Sequence, residues 1–182
     1  MINLEKAKQW LPYAGIPVVS IAFAVLNWNW LPPVEILLFE VLLVFGYGLA
    51  VHDLRTKTGP NLVLLIMTAL WTLIEIPVIV SNFERGAGMM ISAGMGALIG
   101  GGVFFVVYIL SKHGLGAGDV KFMAVAGLYL GLNLIMSAML MGAILSAVTG
   151  LGLVCFKKLK KTDEIPLVPF LYAGIVITLF LL

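Results

Sequence analysis

The sequence predicts an all-α, polytopic membrane helix bundle, and its composition and charge pattern both lead to this fold class. Of the 182 residues, 62% are hydrophobic and only 11% are charged. The mean hydropathy of the chain is +1.11. A soluble fold of this size needs a polar surface that so few polar residues cannot provide. The charged residues also fall between long apolar segments, and a helix needs about 20 apolar residues to span a bilayer.

Six apolar segments are candidate spans, and one of them is long enough to cross twice. The segments cover residues 10–28, 34–51, 61–80, 88–110, 120–156 and 166–182. The segment 120–156 is too long for one crossing, so we expect it to break near Gly131-Leu132-Asn133. This predicts about seven crossings, or six if the short piece from about Asp119 to Leu130 is not a full span.

The distribution of Lys and Arg predicts the orientation of the bundle. With seven crossings and a cytoplasmic N-terminus, 10 of the 11 Lys and Arg residues lie on the cytoplasmic side, and only Arg85 lies on the opposite side. The positive-inside rule favours this orientation. The segments between the spans are short. Residues 1–182 are therefore predicted to form a single integral-membrane domain without a soluble domain.

Charge and cysteine content limit the possible ligands. A net charge of +2 provides no basic field for a nucleic acid. Cys155 is the one cysteine of the chain, so neither an intramolecular disulfide nor a cysteine-based zinc site can form. We expect membrane lipids around the bundle, no nucleic-acid partner, no metal and no cofactor.

Glycine and alanine cluster in and just before the fourth apolar segment. Glycines recur at Gly86 and Gly88, at Gly94 and Gly96, and at Gly100-Gly101-Gly102. Small residues at such spacings allow helices to approach closely in lipid. No predicted strand precedes them, so a phosphate-binding loop is disfavoured. We expect this segment to pack tightly against a neighbouring helix.

Ionisable groups in or beside the apolar segments are candidates for function, because lipid makes them costly. They are Asp53, Asp119, Glu40, Glu75 and the nearby His52 and His113. Two predicted crossings separate Asp53 from Asp119, so both carboxyl groups return to the same face of the membrane. Like charges held close together cannot both ionise, so one carboxyl stays protonated while the other accepts a proton from water. This pair predicts hydrolysis by an activated water, as in aspartic proteolysis.

Simpler roles remain open for these residues. In this alternative Asp119 has no role beyond capping the start of its helix, and Asp53 has no role beyond anchoring the chain at the membrane interface. Glu40 and Glu75 are predicted to lie at similar depth on neighbouring helices, and we expect them to meet each other or a common polar partner. A direct role for this second pair in holding a substrate is the alternative.

The residues around both aspartates resemble a known family, the type IV prepilin peptidases among the GxGD aspartic membrane peptidases. Gly116-Ala117-Gly118-Asp119 matches the GxGD signature, and Val120-Lys121 continues it with Ala126-Gly127 and Gly131 downstream. Asp53-x-Arg55 followed by Pro60-Asn61 is similar to the D-x-R-x-x-x-I-P-N motif of that family. Ile165-Pro166-Leu167-Val168-Pro169-Phe170 is similar to its I-P-F-G-P-F segment.

The chain departs from the family pattern at three places. Gly59 stands where the family has Ile, and Leu167-Val168 replace Phe-Gly. Larger members carry a cytosolic domain with CxxC motifs after the first span, linked to N-methylation. Here the corresponding connection is only Asn29 to Pro33, so no methyltransferase activity is expected. The resemblance is to short, peptidase-only members that serve Tad/Flp-type pili, or to archaeal preflagellin peptidases.

The resemblance implies an activity, a substrate and a set of site residues. Asp53 and Asp119 correspond to the catalytic aspartates. The supporting or substrate-binding positions are Gly116, Gly118, Lys121, Arg55, Pro60 and Asn61. The implied substrate is a prepilin-like or preflagellin-like protein, cut after a short basic leader at the cytoplasmic face of the inner membrane.

Two other functions remain as alternatives. One is a presenilin-type or signal-peptide-peptidase-type protease, although His52 precedes Asp53 here where those enzymes have Tyr. The other is a small transporter without enzymatic activity that uses Glu40 and Glu75 as a proton or cation path.

Overall fold

A computed structural model describes residues 11–57, 59–111, 115–155 and 166–182. A 3-10 turn over Leu11–Ala14 precedes six α-helices, and no strand occurs in the described residues. The helices are α1 (Gly15–Asn27), α2 (Pro33–Thr56), α3 (Asn61–Ser81), α4 (Phe83–Leu110), α5 (Ala117–Cys155) and α6 (Val168–Phe180). The all-α prediction is confirmed for this part of the chain.

Most of these helices are long enough to span a membrane. Helices α2 to α5 have the length and hydropathy of membrane spans, whereas α1 and α6 are apolar but shorter. Each of the shorter two has 13 residues, about 20 Å of helix against a hydrocarbon core of about 30 Å. The protein is a membrane helix bundle, and the number of crossings stays a prediction.

Local chemistry sets several helix ends. Pro33 occupies the first position of α2, where the missing N–H is not needed. Lys57 ends α2 in the left-handed conformation, with φ of 53°. The side chain of Asn82 accepts a hydrogen bond of 3.0 Å from the Arg85 N–H and caps the start of α4.

Helix α5 reverses direction at Gly131. This residue has φ of 64° and ψ of −175°, a conformation that only glycine adopts without strain. A Cβ placed on Gly100 of α4 would contact both the Met123 carbonyl oxygen and the Ile135 side chain. Those two residues would be about 18 Å apart along a straight helix. Residues 117–130, here arm 1, therefore lie beside residues 132–155, here arm 2, and the expected break is confirmed.

The contact between α4 and arm 1 is a close backbone contact. A Cβ on Gly96 would collide with the Gly127 carbonyl oxygen, and one on Gly127 would collide with the Gly96 carbonyl. Gly101 packs in the same way against Ala124. The tight packing expected of the fourth segment is confirmed at these positions. Other glycines of α4 face open space: Gly88, Gly94 and Gly102.

Helix α6 packs against both arm 2 and α2. Arm 2 packs on α6 through a second small-residue contact, between Gly142 and Gly174. Gly46 of α2 faces Tyr172 of α6, and the last turn of α2 lies at the start of α6. The largest fully buried side chains are Phe23, Leu42, Leu43, Met67, Phe122, Met123, Ile135, Leu171, Ile175 and Leu179.

We expect labelling of single cysteines to report the reversal of α5. Native Cys155 at the end of arm 2 should react from the same side of the membrane as Leu54→Cys made in a Cys155→Ala background. Trp30→Cys in that background should react from the other side, because α2 separates it from Leu54. A membrane-impermeant maleimide applied to sealed vesicles provides the measurement. Reaction of Cys155 from the Trp30 side would contradict the reversal.

We expect Gly96→Ala to destabilise the bundle and Gly94→Ala not to. The added methyl group at Gly96 meets the backbone of Gly127, and overpacking of this kind costs about 1–3 kcal/mol. The methyl group at Gly94 meets nothing within 4 Å, and alanine is the better helix former. Thermal unfolding of both variants in one detergent measures the difference. Equal melting temperatures would contradict the close contact.

Candidate active site

An open cleft of about 280 Å³ lies where the C-terminal end of α2 meets the N-terminal ends of α3, α5 and α6. Its lining residues come from all four helix ends and from the segments just before α3 and α5. They are Asp53, Lys57, Gly59, Asn61, Gly116, Ala117, Gly118, Asp119, Lys121 and Val168. Both aspartates singled out from the sequence thus line one cleft, although 65 positions of the chain lie between them.

Asp53 belongs to the last turn of α2 and is only 6% exposed. Its Oδ2 accepts a hydrogen bond of 3.3 Å from the Val168 N–H, the first residue of α6. This N–H has no partner within its own helix, and the positive end of the helix dipole favours a negative charge here. The start of α6 therefore holds the Asp53 carboxylate in the cleft.

Asp119 lies in the first turn of α5 and is 8% exposed. Its Oδ2 accepts a hydrogen bond of 3.0 Å from the Gly116 N–H, and its own N–H donates to the Gly116 carbonyl at 3.1 Å. This is the returning half of a capping box, in which a residue of the first turn satisfies the N–H that precedes the helix. No described residue donates to its Oδ1. One oxygen thus caps α5, and the second remains for chemistry in the cleft.

The two carboxyl groups are close enough to interact electrostatically across the cleft. Each is held by a backbone N–H at the start of a different helix, α6 for Asp53 and α5 for Asp119. Two nearly buried carboxyl groups that share one cleft disfavour double ionisation. The arrangement can hold one proton between two carboxyl groups, which is what water activation without a covalent intermediate needs.

The segment before α3 packs directly on the turn that carries Asp119. A Cβ on Gly118 would lie 3.3 Å from the Gly59 nitrogen, and one on Gly59 would lie 3.5 Å from the Gly118 Cα. A Cβ on Gly116 would lie 3.0 Å from the Asp119 Oδ2 and would disturb the cap. Glycine at these positions lets two loops and a carboxylate occupy one narrow space.

The other predicted supporting residues divide into two groups. Lys121 and Asn61 line the cleft, and the Lys121 Nζ donates to the Asn61 Oδ1 at 2.9 Å. The spacing of two residues puts Lys121 on another face of α5 than Asp119, but its long side chain reaches the start of α3. Pro60 precedes α3, and Arg55 lies with its guanidinium 5.5 Å from the centre of the Tyr13 ring. Neither is among the described residues that line the cleft.

His52 precedes Asp53 on α2 and contacts a residue of its own helix. The His52 Nδ1 lies 2.9 Å from the Thr56 Oγ1, one turn further along α2. His113 lies outside the described residues. Within the described ranges, no three side chains of His, Cys, Asp or Glu come together in an arrangement that holds a metal ion.

Four residues that line the cleft were not singled out as site residues from the sequence: Lys57, Gly59, Ala117 and Val168. Val168 contributes only its backbone N–H, and the similarity around it concerned side chains. Lys57 lines the cleft from the left-handed end of α2. A positive charge four residues after Asp53 was the one available signal for Lys57.

The expected contact between Glu40 and Glu75 is wrong. Glu40 accepts a hydrogen bond from Ser20 of α1, and both residues line a shallow groove between α1 and α2. Glu75 lies in a different cavity with Glu35 and Ser92. The two glutamates have similar depth but point in different directions from their helices.

Comparison with family models connects this geometry to known proteins. Residues 36–151 match the type IV leader peptidase family. No curated protein and no solved structure gave a match to this chain. The matched region is more than half of the chain and includes both Asp53 and Asp119, whereas α6 lies beyond it. The chain therefore belongs to the type IV leader peptidase family.

Proposed function

We propose that this protein is an aspartic endopeptidase whose catalytic residues are Asp53 and Asp119. Family membership supports a peptidase that acts on a protein substrate. One observation carries the aspartic mechanism. Two carboxyl groups from distant parts of the chain, 6% and 8% exposed, line one open cleft at the end of the bundle.

The proposed reaction uses the two carboxyl groups as one unit. One of them accepts a proton from water as the water oxygen attacks the scissile carbonyl carbon. The other, which starts protonated, donates its proton to the carbonyl oxygen, so a neutral tetrahedral intermediate forms. The C–N bond then breaks as one carboxyl group donates its proton to the leaving nitrogen and the other carboxylate accepts a hydroxyl proton of the intermediate, which restores the singly protonated pair. No covalent bond to the enzyme forms in this sequence.

The proposed substrate is a prepilin-like or preflagellin-like protein with a short basic leader ahead of an apolar helix. The cleft lies at the end of the bundle that also carries Arg55, Lys57 and Lys121. The positive-inside rule favours a cytoplasmic position for this end. A substrate helix in the lipid can then bring its first residues to the cleft while its leader stays in the cytoplasm of the cell, at the inner membrane.

Two further features bear on this proposal. The connection between α1 and α2 spans only a few residues and the chain has one cysteine, so we propose a peptidase without N-methyltransferase activity. The transporter alternative loses its main support, because Glu40 and Glu75 line different cavities and do not form one path.

We expect Asp53→Asn, Asp119→Asn and the double variant to lose cleavage to a similar extent. Asparagine keeps the size of the side chain and an oxygen that accepts from Val168 or Gly116, but it transfers no proton. Loss of an acid or base lowers a rate by about 10²- to 10⁴-fold, and residues that act as a unit are not additive. The measurement is cleavage of a co-expressed prepilin with a basic leader that ends in Gly.

Glu84→Gln is the matched control, because Glu84 is exposed and lies at the start of α4. It should cleave normally. The melting temperatures of the purified Asp53→Asn and Asp119→Asn variants should match or slightly exceed that of the native protein, because the repulsion between two buried carboxyl groups is removed. Normal cleavage by a folded Asn variant would reject the dyad and leave both residues as a cap and an anchor.

We expect cleavage by the purified protein to be insensitive to EDTA. The proposed mechanism takes both protons from carboxyl groups and needs no metal-bound water. The assay compares initial rates in detergent with and without the chelator, with a zinc peptidase as the positive control for chelation. A loss of activity that zinc restores would contradict the aspartic mechanism.

A further inference from the structure

A second polar cleft lies at the opposite end of the bundle from Asp53 and Asp119. It has a volume of about 350 Å³, and its polar lining residues are Glu35, Glu75, Ser92 and Asn133. Glu35 is in the first turn of α2, about 27 Å along the helix from Asp53. Small-molecule sites have volumes of about 300–1,000 Å³, so this cleft can hold a compact polar group.

The floor of this cleft holds a buried acceptor without a donor. Glu75 is 3% exposed, and no described residue donates a hydrogen bond to its Oε2. A buried polar atom without a partner costs free energy, and most such atoms in proteins are satisfied. Because Glu75 lines an open cleft, a ligand that enters the cleft can supply the missing donor.

The rest of the wall is also rich in acceptors. Arm 1 ends here, and the Leu132 N–H, which would bond the Leu128 carbonyl in a continuous helix, donates to the Ser92 Oγ at 3.1 Å instead. The C-terminal end of a helix carries partial negative charge. Arg85 forms an ion pair of 3.6 Å with Glu35, and no cation of the described residues lies within ion-pair distance of Glu75. The cleft favours a positively charged donor.

The mouth of the cleft lies at the end of α2 that follows two exposed tryptophans. Trp28 and Trp30, in the connection from α1 to α2, are 72% and 84% exposed. Exposed tryptophans of this kind mark the interface between hydrocarbon and water. Glu35 follows Trp30 by five residues, and the Arg85 guanidinium lies beside Glu35. A headgroup in this leaflet therefore reaches the cleft without leaving its membrane.

We infer that this cleft binds the primary ammonium group of a lipid headgroup, with Glu75 and Glu35 as its acceptors and Arg85 facing the lipid phosphate. A primary ammonium carries three N–H donors and one positive charge, which match the unpartnered Glu75 oxygen and the carboxylate of Glu35. A quaternary ammonium has no N–H to donate. The inference does not depend on the proposed peptidase mechanism, because no residue of the first cleft takes part.

Native mass spectrometry of the purified protein in detergent tests this site with defined lipids. Phosphatidylethanolamine should bind at least about tenfold more tightly than phosphatidylcholine of the same acyl chains, because a hydrogen bond to a charged group is lost with the latter. Glu75→Gln should remove this preference. Glu84→Gln is the matched control, an exposed carboxylate at the same end of the bundle, and it should keep the preference.

The outcomes separate the possible occupants. Equal binding of the two lipids by the native protein overturns the inference, whatever the variants do. An unchanged preference in Glu75→Gln overturns the assignment to this cleft. Full displacement of the bound lipid by millimolar free ethanolamine overturns the lipid assignment in favour of a soluble amine. If Glu75→Gln melts far below the native protein, the native lipid comparison and the ethanolamine competition decide the question.

Discussion

The close backbone contact between α4 and arm 1 determines where the polar groups of this bundle lie. Lipid provides no hydrophobic force that drives helices together, so van der Waals packing at small residues holds them. Gly96 and Gly127 allow that packing, because a Cβ at either position would collide with the facing backbone. The contact fixes arm 1 along its axis. Asp119 at its start and Gly131 at its end are then placed at two opposite polar clefts.

Both aspartates also complete the hydrogen bonding of helix ends. The first N–H groups of a helix lack partners within it, and an apolar environment offers them none. Asp119 satisfies the N–H before α5, and Asp53 satisfies the first N–H of α6. The two carboxyl groups proposed to carry the reaction are thus held by backbone N–H groups, which have fixed positions in the helices. A site built on helix ends is rigid even though two of its walls are loops.

Sequence reasoning succeeded where a feature depends on local chain chemistry. The break at Gly131 and the close packing of α4 were predictable because glycine has no side chain. The position of Asp53 and Asp119 at the same end of the bundle was predictable from the number of crossings between them. The Glu40 and Glu75 prediction failed because sequence gives depth along a helix but not direction. Membrane helices such as α2 and α5 are apolar on all sides, so their periodicity does not identify the buried face. The contact of Val168 with Asp53 was equally hidden, because every residue except proline carries a backbone N–H.

Arm 1 joins the two clefts as a stiff rod. Residues 117–130 span about 20 Å, and a helix of this length changes little along its axis. Because the contact with α4 fixes arm 1 along its axis, the separation between Gly131 and Asp119 is constant. In mechanical terms arm 1 is a strut that keeps the two clefts a fixed distance apart.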